Sequence, residues 1–98
     1  MLVKIHSSYR VIVAICDTNL LEKTFEEGEK RIIIGKNFYG GEEKSEEEIL
    51  KIIQDYSEAD STFNIVGKDS TNLALKSGLI KKDGITKIQN IPIALVLL

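Results

Sequence analysis

The chain has 98 residues, 43% of them hydrophobic and 29% charged, with a single proline. That balance excludes a disordered or low-complexity chain. A chain of this length buries roughly 60–70% of its unfolded surface around one core, so a single domain spanning residues 1–98 is expected. The net charge of −2 excludes nucleic-acid binding by bulk charge alone, which calls for a clearly basic domain. The charge is uneven, however: residues 1–60 carry a net of −5 and residues 61–98 a net of +3, which leaves room for a basic face in the C-terminal part.

Leu2 to His6 and Val11 to Cys16 are rich in branched apolar residues. The polar stretch Ser7-Ser8-Tyr9-Arg10 between them predicts a hairpin. Val11 to Cys16 is apolar on both sides and predicts a central strand covered on both faces. Asp17 stands where a helix N-cap would. The spacing of Leu20, Leu21, Thr24 and Phe25, with Glu22, Glu26 and Glu27 opposite, predicts a helix ending at Gly28. Arg31 to Ile34 predicts a short buried strand ending at Gly35, and Asn37-Phe38-Tyr39-Gly40-Gly41 a turn.

Ser45 and Glu48 have the spacing of a capping box, and Ile49, Ile52, Ile53 and Tyr56 follow at helical intervals. Thr62 to Val66 predicts a strand running into Gly67, and Asp69 to Ser77 a short helix stopped by Gly78. Ile85 to Ile88 and Ile93 to Leu98 predict two more strands, with a bend at Asn90-Ile91-Pro92. The fold class is therefore α+β, a single mixed, largely antiparallel sheet of five or six strands with three helices in the order ββαβαβαββ. The run Ile93 to Leu98 is too apolar for a bare edge, so it is either covered or a contact surface.

Cys16 is the only cysteine and His6 the only histidine. No internal disulfide can form, which points to a reducing, cytoplasmic location. Neither a histidine-based triad nor a zinc site of repeated ligands can be assembled in one chain. No catalytic constellation, metal or cofactor is indicated. Met1 to Tyr9 lack the order of a secretory signal, and no apolar run approaches the roughly 18 residues of a membrane span, so no membrane partner is expected.

Gly67-Lys68-Asp69-Ser70 has the strand-to-helix setting of a phosphate loop, but Thr62 and Asp69 stand where the nucleotide motif needs glycine and Ser or Thr. Either the free N–H groups there hold one phosphate beside Lys68, or the segment is a plain turn and cap. Glu42, Glu43, Glu46, Glu47 and Glu48 are read as favouring the start of the helix behind them. Lys36, Asn37, Phe38, Tyr39, Gly40 and Gly41 combine a cation, an amide and two aromatics at a glycine pair. Such a set suits unpaired bases, with stacking worth about 1–3 kcal/mol each; alternatively an aromatic here plugs the core. Lys81 and Lys82 add charge at a turn, as binding residues or as solvated surface.

Four pieces in the same order carry a resemblance: Val3-Lys4-Ile5, Asn37-Phe38-Tyr39-Gly40-Gly41-Glu42, Asn64-Ile65-Val66-Gly67 with a helix ending Ser77-Gly78-Leu79, and Ile91-Pro92-Ile93-Ala94. Together they resemble an archaeal family known as Domain of Unknown Function four-two-four. The resemblance implies an archaeal cytoplasmic protein and, by association with other small archaeal proteins, an RNA-binding or ribosome-associated role. The candidate nucleic-acid residues are thus Lys36, Asn37, Phe38, Tyr39, Gly40, Gly41, Lys68, Lys81 and Lys82, with RNA or a ribosomal particle as partner. The competing expectation is a protein-interaction module, or a homodimer paired through an apolar strand such as Ile93 to Leu98.

Overall fold

In the computed structural model, which describes residues 1–7 and 9–98, the branched run Val11–Cys16 forms β2 at the centre of a six-stranded sheet. The strand order is β5-β1-β2-β6-β8-β7, built from β1 (Leu2–Ser7), β5 (Glu42–Glu43), β6 (Ser61–Val66), β7 (Thr86–Ile88) and β8 (Ile91–Leu97) beside β2. β1 pairs antiparallel with β2, Leu2 opposite Cys16 and Ser7 opposite Val11. The turn expected over Ser7 to Arg10 includes Ser8, which lies outside the described residues. β2 and β6 run parallel, Val11 opposite Ser61 through Cys16 opposite Val66, while β6 with β8 and β8 with β7 are antiparallel. The mixed, largely antiparallel α+β sheet is therefore as expected, and β2 is its covered central strand.

Successive side chains of a strand point to opposite faces, and here both faces are covered. Val13, Ile15, Phe63, Ile65 and Ala94 face α2 (Glu46–Ser57) and α3 (Lys68–Ser77), where Ile49, Ile53, Leu73 and Ala74 close one core. Leu2, Ala14, Cys16 and Val66 face the other layer with Leu20, Ile34 and Tyr39. The capping box at Ser45 forms as expected: Glu48 N–H donates to Ser45 Oγ at 3.2 Å and Ser45 N–H to Glu48 Oε1 at 3.0 Å.

The helix expected between Asp17 and Gly28 does not form. After a 3-10 turn at Thr18–Leu20, the chain runs as β3 (Thr24–Glu27) and β4 (Lys30–Ile33), an antiparallel hairpin forming its own two-stranded sheet. Glu22 has φ 67 and interrupts any helix. Gly28, at φ 62, opens the two-residue loop that joins Glu27 to Lys30. Phe25 opposite Ile32 packs inward, whereas Glu26 opposite Arg31 forms an exposed ion pair at 3.2 Å. The third helix is instead α1 (Lys36–Tyr39), one turn inside the segment expected to be irregular.

Near the C-terminus, the reversal is a two-residue loop at Gln89 and Asn90, with φ 50 and 65, and Pro92 lies inside β8 opposite Lys87 rather than in a bend. The carbonyl of Pro92 accepts from Gly67 N–H at 2.9 Å. A residue's N and carbonyl share one side of a strand, so the missing donor of Pro92 faces the end of β6 and leaves the β7 ladder intact.

Asp17 caps a helix, but a distant one. Its Oδ2 accepts from Asp69 N–H at 3.1 Å, and its Oδ1 accepts from Ser70 N–H at 2.8 Å and Ser70 Oγ–H at 2.7 Å. The carboxylate thus serves the first turn of α3, and Asp17 N–H in turn donates to Val66 O at 3.1 Å. Asp17 is 7% exposed, so removing its acceptors strands buried donors. Asp17→Ala is expected to lower unfolding free energy by about 3 kcal/mol and the melting temperature by roughly 12 °C or more. Urea and thermal unfolding check this, and a loss below about 1 kcal/mol would contradict the capping role.

Candidate functional site

The aromatic glycine segment spends most of its chemistry inside the fold. Tyr39 is 6% exposed and packs with Leu2, Ala14, Cys16 and Ile34. Phe38 is half-buried; its ring stacks on His6 with centroids 4.9 Å apart and meets Tyr39 edge-on, also at 4.9 Å. His6 Nε2 lies 2.9 Å from the Phe38 carbonyl oxygen; a carbonyl only accepts, so this nitrogen is the donor. A Cβ on Gly40 would collide with the Lys36 carbonyl, and one on Gly41 with the Val3 carbonyl. The glycine pair therefore lets the chain leave α1 hard against β1. Lys36 and Asn37 alone of this segment are exposed side chains.

Burial pushes the Tyr39 phenol up to about 12, reinforced by Cys16. Burial likewise pushes the Cys16 thiol up to about 11, with the Asp17 carboxylate adding to it. Both groups are therefore neutral at physiological pH, which suits packing rather than proton transfer or nucleophilic attack.

The start of α3 is also accounted for. The N–H groups of Asp69 and Ser70 that were considered for a phosphate already donate to the Asp17 carboxylate, an anion supplied by the protein itself. These two N–H groups are therefore not free to hold a bound anion.

Lysine side chains converge beside this helix start. Lys68 from α3, Lys82 from the 3-10 turn Lys82–Gly84 and Lys87 from β7 line one cleft of about 380 Å³ together with Thr71, Asn72, Ile85, Asn90 and Pro92. The cleft opens where β6 gives way to α3 and where β7 turns into β8, beyond the carboxyl end of the β2–β6 parallel pair. Loops diverge at such ends, and ligands commonly bind there. Among the described residues no carboxylate lines the cleft, although Asp83 sits in the same turn as Lys82. Among the described residues, Lys44, Lys51, Lys76 and Arg31 are in ion pairs, whereas Lys68, Lys82 and Lys87 are in none of these.

The expected binding residues thus fall into two groups. Lys68 and Lys82 share the cleft, with Lys81 exposed just before the turn, whereas Lys36 to Tyr39 form α1, which packs on β1 and β2, and Gly40 and Gly41 follow it. Sequence reasoning missed Lys87, Asn72 and Asn90. The excess of lysine after residue 60 was the available signal. Of the five glutamates at 42–48, Glu48 completes the capping box, Glu43 accepts from Thr18 Oγ1 at 2.7 Å, and Glu42 and Glu46 pair with Lys44 and Lys76. Among the described residues, no three His, Cys, Asp or Glu side chains gather as metal ligands, and no helix is long and apolar enough to cross a membrane.

The arrangement is an α+β sheet protein with a lysine-lined cleft at one sheet end. The chain belongs to the family described as a protein of unknown function (DUF424), whose model matches residues 5–98. It is also similar in fold to a crystal structure of an uncharacterized conserved protein from Methanopyrus kandleri, with TM-score 0.78 and 22% identity over 97% of this chain and 88% of that one. No curated protein matches.

The buried phenol and thiol predict an alkaline signature. Well below about pH 8, folded and unfolded chains both keep these protons and stability is unaffected. From about pH 8 upward the unfolded Cys16 and then Tyr39 ionise first, against folded values of about 11 and about 12, so stability falls as pH rises. Urea midpoints from pH 8 to 11 should fall less steeply in Cys16→Ala and Tyr39→Phe than in the parent; identical slopes would contradict the burial of both groups.

Proposed function

We propose that the protein is an RNA-contacting accessory factor that holds backbone phosphates in the Lys68–Lys82–Lys87 cleft. The observation that carries this reading is the convergence of lysines from three separate elements, outside any of the observed ion pairs, on one cleft without a lining carboxylate. Ammonium groups meet phosphates as mobile point charges, and binding by them releases counterions from the nucleic acid.

The ligand class follows from size and charge. A cleft of about 380 Å³ accommodates a phosphate with its sugar but not a duplex groove. The net charge of −2 works against long-range attraction to duplex DNA. Asn72 and Asn90 on the same lining offer amides to a 2′-hydroxyl or a base edge, contacts that an unpaired RNA segment presents. Lys81 extends the positive rim, and the exposed Lys36 and Asn37 supply a second contact on α1. A ribosomal particle displays such unpaired segments in quantity, which fits an accessory role with modest affinity.

Purified protein should be retained on single-stranded RNA at low salt. Three phosphate contacts predict a log–log salt slope of about −2. The triple variant Lys68→Glu, Lys82→Glu, Lys87→Glu should lose retention and slope together, while Lys51→Glu on α2 should match the parent. Absence of binding at low salt, or a triple variant that binds like the parent, overturns the proposal.

A further inference from the structure

β8 changes its status halfway along. Ile93 to Leu97 pair with β6 on one side, but β7 covers the other side only from Ile91 to Ile93. Beyond Ile93, β8 is the outer strand of the sheet.

The direction of its backbone groups follows from two hydrogen bonds. Leu98 N–H donates to Ser61 O at 3.1 Å, and Pro92 O accepts from Gly67 N–H at 2.9 Å. Even-numbered residues therefore turn their N–H and carbonyl groups toward β6, and the alternation of an antiparallel ladder turns those of Leu95 and Leu97 outward. Their side chains share the face of Ile91 and Ile93. The β3–β4 layer packs on those two residues but not on Leu95 or Leu97, which are 59% and 71% exposed. The usual protections of an open edge, a lysine, a proline or a bulge, are missing from residues 94–98.

We propose that this edge pairs antiparallel with the same edge of a second copy, in the register centred on Val96. In that register Leu95 of each copy stands opposite Leu97 of the other. Both are hydrogen-bonded pairs because both residues present outward groups, and Val96 opposite Val96 forms the non-bonded pair between them. A slip of one residue sets outward groups against inward ones. A centre at Leu95 requires Ile93, whose outward groups are already bonded to Thr86. Only the centre at Val96 uses the donors and acceptors of both leucines.

Charge also permits a second copy. Each chain has a net charge of −2, yet the paired segment contains no charged residue, so no like charges are set opposite each other. Four exposed leucines then cluster on one face of a sheet continuous through both copies. The contact is short against the roughly 800 Å² per partner of a stable interface, so the dimer is weak and concentration-dependent.

Sedimentation equilibrium on nuclease-treated full-length protein tests this. Weight-average mass should rise toward twice the monomer between tens of micromolar and about 1 mM. Leu97→Lys, at an exposed position, and Leu97→Pro, which removes an outward N–H that no strand of the monomer uses, should both hold the protein monomeric with an unchanged far-UV circular dichroism spectrum. If Leu97→Pro disturbs the fold, Leu97→Lys alone decides. A parent that stays monomeric at 1 mM, or a dimer that survives Leu97→Lys, overturns the proposal and leaves the RNA reading untouched, since no cleft residue takes part.

Discussion

Three donors on the first turn of α3 converge on the buried carboxylate of Asp17, and much of the molecule's C-terminal half is positioned by that convergence. Asp17 leaves β2 just as Gly67 leaves the parallel neighbour β6. The two chain segments therefore emerge side by side at the same end of the sheet. A carboxylate on one can then cap the helix on the other, giving a 52-residue separation in sequence and a short distance in space. Gly67 makes the approach feasible. It sits at φ 112, and a Cβ there would run into the Asp17 carboxylate, so both conformation and space call for glycine. Its N–H reaches Pro92 in β8, linking the same junction to the strand that borders the cleft.

The lysine cleft inherits its geometry from this junction. Lys68 and Thr71 stand on the turn that Asp17 holds, and Pro92 and Asn90 stand on the strand and loop that Gly67 touches. Because the protein's own carboxylate neutralises the positive end of α3, the cleft does not work as a helix-terminus anion site. Its attraction for phosphate rests on lysine side chains, which are mobile and screened by salt. That favours contact with a charged backbone over tight recognition of one small anion.

Much of the fold is legible from residue spacing, and the exceptions have identifiable causes. The strands Val11–Cys16 and Ser61–Val66 and the capped helix Glu46–Ser57 follow from local patterns that tertiary packing reinforces. The stretch from Leu20 to Phe25 matches a helical stripe, but Glu22 at φ 67 breaks it, and only Thr24 and Phe25 of that stretch belong to the strand that forms. Gly28 fits either a helix stop or a hairpin loop, and the opposition of Glu26 to Arg31 and of Phe25 to Ile32 decides for the hairpin. Asp17 is not the cap of a helix directly behind it, as its position suggests, but serves the start of α3, because nothing in the local sequence identifies a partner brought near by a parallel strand pairing. The segment from Phe38 to Gly41 attracts attention as an exposed loop, yet its aromatics face His6 and the core while its glycines solve a crowding problem against β1. Of the cleft, Lys68 and Lys82 were visible as lysines at turns. Lys87, Asn72 and Asn90 joined them only through the β7–β8 hairpin and the face of α3, which no sequence spacing encodes.

A double-mutant cycle on Asp17 and Gly67 bears most directly on the junction between β2 and α3. Unfolding free energies of the parent, Asp17→Ala, Gly67→Ala and the double variant would be compared. Gly67→Ala meets both an unfavourable φ and the Asp17 carboxylate, and only the first of these remains once the carboxylate is gone. The cost of Gly67→Ala should therefore be smaller by at least about 1 kcal/mol in the Asp17→Ala background. Additive costs, within about 0.5 kcal/mol, would mean that the carboxylate does not hold the start of α3 against Gly67, and would contradict this account of how the cleft is positioned.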